Sequence, residues 1–403
     1  MACPDCGLLQ LIPLARRPCV SECRRCGRVL AGPATGRIDA PLAWCLAALL
    51  LLLPACAAPM MSVSSYGAFR QTWFPGAPGA LWQDGFPSLA LLVSAFSIVL
   101  TVSFLALLVW VLGSLHFGRR DSLGTAFRCV TRLRPWVMTE VYLVGCFVAY
   151  SRIKVVATVD VGVGGWFLIA ATLALLLAMT QLDERTVWQS LEPRDVGDAA
   201  APPEGPLVAC RVCDLVVGKR FAASVRCPRC QAKLHRRKPD SMRRTASLVV
   251  AGYILYIPAN VLPVLTVVRF GREDPNTILS GVLELIRNHL WPLALIVFAA
   301  SIVLPLMKLL GLSWMLIATR RGTRRFLLGR TRLYRMIDMV GRWSNIDVFM
   351  VSVLVAILQF GAVTEVHAGN GLVAFAAVVV LTMIATEVFD ARLMWDRAGD
   401  VHG

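Results

Sequence analysis

Eight cysteines in this chain form four Cys-x-x-Cys pairs, grouped two and two. Cys3-Pro4-Asp5-Cys6 and Cys23-Arg24-Arg25-Cys26 stand near the N-terminus, and Cys210-Arg211-Val212-Cys213 and Cys227-Pro228-Arg229-Cys230 stand in mid-chain. The pairs are separated by 16 residues in the first group and 13 in the second. Two tight turns that each present two sulfurs close a tetrahedron around one Zn²⁺, so each group reads as a zinc ribbon. Four thiolates leave no open coordination position, and such a metal holds a small domain together without doing chemistry. Rubredoxin-like iron and reversible thiol redox chemistry are the other uses of this ligand set; structural zinc at both sites is the reading favoured on ligand type. Gly7 and Gly27 follow the last cysteine of their turns, where a positive φ is often needed. Cys19 is a spare thiol near the first group, and Cys45, Cys56, Cys129 and Cys146 read as small apolar packers in or beside hydrophobic segments.

A second set of residues is notable for its surroundings. Asn260, Lys308, Asp347, Thr386 and Glu387 all lie inside or at the end of long apolar stretches. A charged side chain there costs about 2.5–3.5 kcal/mol on insertion scales, so it faces the protein interior, pairs with another, or marks a pathway. Lys308 with Asp347 or Glu387 is the expected pair, with a structural ion pair or a snorkelling side chain as the alternative. Asp390 lies close enough to a boundary that snorkelling is expected. Arg152 and Lys154, near the end of another apolar stretch, are expected to reach headgroups. Asn260 sits in a Pro258-Ala-x-x-x-Pro263 break that is expected to kink or unwind its helix, and it reads equally as a cavity lining or as part of a packing kink.

The elements that carry these residues are membrane spans. Hydrophobic residues make up 57% of the 403 and mean hydropathy is +0.65, which excludes an ordinary soluble domain. Eight apolar stretches, at 41–62, 88–116, 136–158, 164–182, 247–268, 290–318, 343–364 and 371–393, are long enough to cross a bilayer. The first 40 residues lack the form of a secretory signal. The net charge of +16 is not spread evenly. Eight arginines fall between 320 and 342 and thirteen Lys or Arg between 185 and 244, whereas 63–87 holds only Arg70, and 159–163 and 365–370 hold none. The positive-inside rule then puts both termini and both cysteine groups in the cytosol, in a reducing compartment that disfavours disulfides, and leaves anionic headgroups rather than nucleic acid as partners of the surplus charge. On the other side, 63–87 is rich in aromatics, including Tyr66, Trp73 and Trp82, as an interfacial belt would be, and Ile278–Ile286 is amphipathic.

The chain also repeats itself. Leu53-Pro54-Ala55 answers Ile257-Pro258-Ala259 and Ser97-Ile98-Val99-Leu100 answers Ser301-Ile302-Val303-Leu304, both 204 residues on. The offset becomes 207 where Asp183-x-Arg185-x-x-Trp188 answers Asp390-x-Arg392-x-x-Trp395. The expected fold is therefore an α-helical polytopic membrane protein with about eight transmembrane helices in two tandem four-helix repeats, each preceded by a small cytosolic zinc ribbon. The expected domains are a ribbon at 1–40, a membrane domain at 41–185, a linker at 186–205, a second ribbon at 206–240, a second membrane domain at 241–395 and a tail at 396–403. Cys56, Phe104 and Thr180 stand in the first half where Asn260, Lys308 and Glu387 stand in the second, while Glu140 matches Asp347. The second half is thus the expected working site.

Taken together, the two cysteine modules each followed by four spans, the Pro258-Ala259-Asn260-x-x-Pro263 break, Leu304-Pro305-Leu306-Met307-Lys308 and the run Gly341-Arg342-Trp343-Ser344-Asn345-Ile346-Asp347-Val348-Phe349 resemble the paraquat-inducible protein A family of bacterial inner-membrane proteins. The resemblance implies a periplasmic partner with mammalian cell entry (MCE) domains, a phospholipid or other membrane lipid as cargo, and a role in passing lipid between membranes that supports envelope integrity. The alternative is a non-transporting scaffold or regulator that recruits partners through its ribbons. No G-x-x-x-x-G-K-[ST] phosphate loop is present, so no nucleotide is expected, and five scattered histidines with no Ser-His-Asp arrangement point away from an enzyme.

Overall fold

The computed structural model describes residues 1–11, 20–32, 38–65, 68–118, 123–154, 157–191, 207–218, 226–269, 272–359 and 364–399. Cys19, Tyr66 and most of the expected linker lie outside the described residues. Backbone polar groups cannot be left unpaired in hydrocarbon, and the apolar runs accordingly form helices. In chain order these are α1 (Asp39–Ala57), the short α2 (Gly76–Gln83), α3 (Pro87–His116), the amphipathic α4 (Leu123–Leu133), α5 (Thr139–Ile153), α6 (Val163–Gln181) and α7 (Glu184–Ser190). The second half supplies α8 (Ser241–Val261), α9 (Ile278–Arg287), α10 (Trp291–Arg320), α11 (Leu327–Val340), α12 (Ile346–Ile357), α13 (Asn370–Val388) and α14 (Arg392–Arg397).

The order of elements in the first half recurs in the second. Helix α3 widens into a π-helical turn over Ala95–Val99, and α10 does so over Ala299–Val303. The first cysteine group carries the paired strands β1 (Ser21–Glu22) and β2 (Val29–Ala31), the second β6 (Val208–Ala209) and β7 (Val216–Val217), and a small antiparallel sheet stands outside the helices of each half. One has order β4-β3-β5, with β3 (Pro59–Ser65), β4 (Ala68–Trp73) and β5 (Thr158–Val161). The other has order β10-β8-β9, with β8 (Leu265–Arg269), β9 (Arg272–Asn276) and β10 (Thr364–Ala368). Helix α1 lies along α6, and α8 lies along α13.

Among the described residues, 6 helical runs are long and apolar enough to cross a membrane. One joins α11 and α12 through a 3₁₀ turn at Gly341–Asn345. Helix α5, with 15 residues, is shorter than the expected 136–158, and α12, with 12, is shorter than 343–364. In both cases the ends of the apolar stretch are used differently, as a 3₁₀ turn at one end and a sheet strand at the other. The proline break is also not mid-helix. Helices α1 and α8 run through Pro54 and Pro258 and end three residues later, before Pro59 and Pro263. Each proline still removes the hydrogen bond to the carbonyl four residues back, Leu50 or Ile254, which loosens the last turn just before the chain leaves for β3 or β8.

The two halves meet where α5 crosses α12. Every residue of α12 is buried. Gly145 makes the approach possible: a Cβ there would stand 2.9 Å from Phe349 Cβ and 3.2 Å from the Ile346 carbonyl. Tyr142 packs edge-on against Phe349 at 5.4 Å, with Phe74 of the aromatic 63–87 segment behind it at 5.0 Å. Phe74 is thus core, whereas Trp73 and Trp82 remain on the surface. At the sheet end a second link joins the halves, with His367 Nδ1 2.5 Å from Asp84 Oδ1 and the Ala368 amide donating to Asp84 Oδ2 at 2.6 Å.

Candidate functional site

Each cysteine group folds as a pair of knuckles. In the first, the Cys3 amide donates to Leu8 O (2.9 Å) and the Gly7 amide to Cys3 O (2.9 Å), and the Cys23 turn repeats the pattern. Gly7 and Gly27 have φ of +76° and +64°, as their place requires, and in the second group Asp214 and Gln231 take the same conformation at +56° without being glycine. The four sulfurs of each set lie within 4.8 Å of one another, with closest pairs at 3.5 Å. A tetrahedron of thiolates about 2.3 Å from a zinc ion has S···S edges of about 3.8 Å, so the donor sets fit one such ion each. Cys3, Cys6, Cys23 and Cys26 would hold one metal, and Cys210, Cys213, Cys227 and Cys230 the other.

The ribbons are docked crosswise. Cys3, Cys6, Cys23 and Cys26 pack into a cluster with Leu312, Phe389 and Trp395, all from the second half. Arg335 of α11 reaches Asp5 Oδ2 (2.5 Å) and Cys26 O (3.0 Å), and Arg392 donates to Pro4 O (3.1 Å). Conversely, Cys210, Cys213, Cys227 and Cys230 pack with Phe127, Val130 and Trp188 of the first half. Arg128 of α4 donates to Cys230 O at 3.1 Å. Arg128 and Arg335 stand 207 residues apart, and each grips the carbonyl of the last cysteine in the other half's ribbon. Gly124 admits the second ribbon, since a Cβ there would lie 2.3 Å from Arg229 O.

The closing Asp-x-Arg-x-x-Trp motif of the second half meets both ribbons, Arg392 at the first and Asp390 at the one of its own half. Asp390 does not snorkel: it is buried, paired with Arg211 of the second ribbon, and accepts from the Lys238 amide at 3.0 Å. The ribbon's basic residues reach it before solvent does.

The membrane-embedded polar residues separate into two places. Lys308 is buried and donates to Gly341 O (2.7 Å) and Ser344 Oγ (2.9 Å), using groups exposed by the 3₁₀ turn. Asp347, one turn beyond Ser344, is met by Ser301, whose hydroxyl also contacts Val297 O at 2.6 Å. The expected ion pair of Lys308 with Asp347 or Glu387 is therefore not formed. Lys308 lies seven residues, about two turns, past Ser301 on α10, and the turn at Gly341–Asn345 takes two of its three donors. Glu387 is exposed, beside Arg342 and Asp338 on the wall of a cleft of about 270 Å³. Thr386 is buried, and its hydroxyl donates to its own helix at Thr382 O (2.9 Å). Asn260 donates to Tyr256 O (2.8 Å), stitching the last turn of α8. Glu140, which matches Asp347, pairs with Arg342 across the halves at 3.1 Å.

The sequence profile of paraquat-inducible protein A matches residues 38–192 and 242–399, together most of the chain. The chain belongs to the paraquat-inducible protein A family. Within the family it is 30% identical over 402 residues to "Intermembrane transport protein PqiA" of Escherichia coli K12, covering 98% of this chain and 95% of the relative, and equally so to the protein of that name from Shigella flexneri. It is 27% identical to "Lipophilic envelope-spanning tunnel protein A" of Escherichia coli K12, with 98% and 90% covered. No solved structure matches.

Two residues of this family member carry the polar site without having been singled out by the sequence. Ser301 holds Asp347 from the π-helical turn of α10, and Ser344 holds Lys308. The available signals are the duplicated Ser-Ile-Val-Leu and the Ser344-Asn345-Ile346-Asp347 run. A cavity of about 150 Å³ leads from the β8–β10 sheet down to Asp347, walled by α5, α9 and α12. Its lining is mostly apolar, with Arg152, Glu284 and Asp347 the charged residues on it.

Proposed function

We propose that this chain is the inner-membrane component of an intermembrane lipid transport system, passing phospholipid to or from an MCE-domain protein on the far side and so supporting the envelope. The observation that carries the reading is the cavity itself. It lies beside the β8–β10 sheet, is apolar along its walls and carries three charged residues, Arg152, Glu284 and Asp347, a lining that suits the polar end of a lipid. The names of the relatives point to the same process. The proposed topology has eight spans in two four-helix units, at 41–185 and 241–395, with both ribbons and both termini in the cytosol. Helix α8, with 21 residues, and the shorter α5 supply the two spans beyond the 6 that length and apolarity select. Zn²⁺ is the proposed metal of both ribbons. Their sulfurs are turned into the molecule against α4 and α11, which favours an architectural role for them over recruitment of outside partners.

Asp347 is the proposed coupling group. The Ser301 hydroxyl has one proton and contacts both Val297 O and Asp347, so both contacts are hydrogen bonds only when the carboxyl carries a proton of its own. Loss of that proton breaks the chain of bonds at the cavity floor and places a charge there, which is how a proton gradient would move the site between two states. Lys308 fixes the 3₁₀ turn on which Asp347 is mounted. Asp347→Asn and Lys308→Ala are expected to abolish rescue of envelope integrity in a host lacking its own copies, with protein level in the membrane unchanged. Full rescue by both variants would refute this assignment.

A further inference from the structure

The charges in the cavity are arranged for a particular headgroup. Arg152 closes α5 with its Nε buried and without a hydrogen-bond partner among the described residues. Asp347 Oδ1 is likewise without a partner. Asp347 and Glu284 are the acidic groups whose charge reaches Arg152, yet neither lies within 4.0 Å of its guanidinium. A Cβ built on Gly281 would stand 3.7 Å from both terminal nitrogens of Arg152, so the guanidinium lies close against α9 at this point of the cavity wall, where only a glycine leaves its terminal nitrogens uncovered. Glu284 is three residues on from Gly281, on the same face of that helix and about 5–6 Å away. Unlike Arg152, it is exposed, at the rim of the cavity.

We infer that this cavity takes a zwitterionic phospholipid whose headgroup joins a phosphate diester to a primary ammonium. The inference rests on the lipid-transport reading and names its substrate class. The phosphate oxygens accept from Arg152, whose planar fork matches two of them at once. The ammonium donates to Glu284, one helical turn away, a separation that an ethanolamine spans. A cavity of about 150 Å³ takes the headgroup alone, so the acyl chains lie outside it. A headgroup with no phosphate leaves Arg152 unpaired in an apolar site, and one with no cation sets its phosphate near the Glu284 carboxylate, a repulsion that solvent at the rim reduces without removing.

The test uses the full-length protein in nanodiscs of defined composition, with photo-crosslinkable phosphatidylethanolamine or phosphatidylglycerol as the probe and peptide mapping of the adduct. The expected result is labelling on α5 and α9, stronger for phosphatidylethanolamine. Arg152→Gln should lower labelling by both probes about tenfold, as loss of a charge-assisted contact does, and Arg152→Lys should restore part of it. Glu284→Gln should lower only the phosphatidylethanolamine signal and bring the two probes level. Gly281→Leu, which lays a side chain over the guanidinium and removes no charge, should block both. Equal labelling of the parent protein by the two probes, or labelling indifferent to Arg152→Gln and Gly281→Leu, overturns the assignment. If adducts then map elsewhere on the protein, lipid transport stands while this site falls; if no probe labels any part of it, the transport reading falls as well.

Discussion

His367 shows how much one side chain can say about the relation of the halves. Its ring lies between Asp84 of the first half and Glu365 of its own strand, 2.5 Å and 3.4 Å away. The hydrogen bond to Asp84, outweighing the desolvation of the ring, holds the imidazole above its ordinary pKa. A folded-state pKa above the unfolded one means the link contributes fully below about pH 6.5 and is lost as pH rises through the raised value. Thermal unfolding of the parent and of His367→Gln, compared from acidic to alkaline pH, should show an advantage of the parent below about pH 6.5 that fades at higher pH. It is expected to be no more than about 1 kcal/mol because the ring is partly exposed. A difference that does not vary with pH would show that the ion pair is not its source. His367 was legible in the sequence only as one of five scattered histidines, because its partner lies far away in the chain. Lys308 and Asp347 were legible as buried charges, but their partners were not: Gly341 offers a carbonyl and Ser301 a hydroxyl, groups that every helix contains in quantity and that matter here only because a 3₁₀ turn and a π-helical turn expose them.

Helices and ribbons were the more legible elements. The spacing of the cysteines alone specified both knuckled modules, since only tight turns bring paired sulfurs together. The apolar runs located the helices to within a few residues, except where strands or a 3₁₀ turn took over their ends. The π-helical turns left no mark in composition, because one extra residue in a turn is decided by what the helix packs against. The amphipathic α4 and α11 read as arginine-rich surfaces for headgroups, whereas Arg128 and Arg335 face the ribbons. The crossing of α5 and α12 sets the tightest demand on any element. A side chain at Gly145 would overlap Phe349 and the α12 backbone, and closely approaching helices rely on such small residues in a membrane. Gly145→Leu is expected to lower stability by about 1–3 kcal/mol, read as an earlier thermal aggregation in detergent. An unchanged aggregation temperature would mean the crossing is looser than described.

At the scale of the molecule, crosswise docking makes each half the support of the other. The chain expressed as two pieces, residues 1–195 and 206–403, should therefore copurify when the pieces are made together, and Arg128→Ala with Arg335→Ala should weaken that association. Pieces that fail to associate, or that associate equally well without both arginines, would mean the ribbons are not what joins them. The exchange also bears on ancestry. If the halves descend from one unit of a single ribbon and four spans, that unit could satisfy its own α4-like helix only with the ribbon of a second copy. Two copies would have traded ribbons about a two-fold axis along the membrane normal, as swapped homodimers do. Fusing them would turn an association that depended on concentration into one fixed by a tether, and leave the halves free to differ, as Phe104 and Lys308 do.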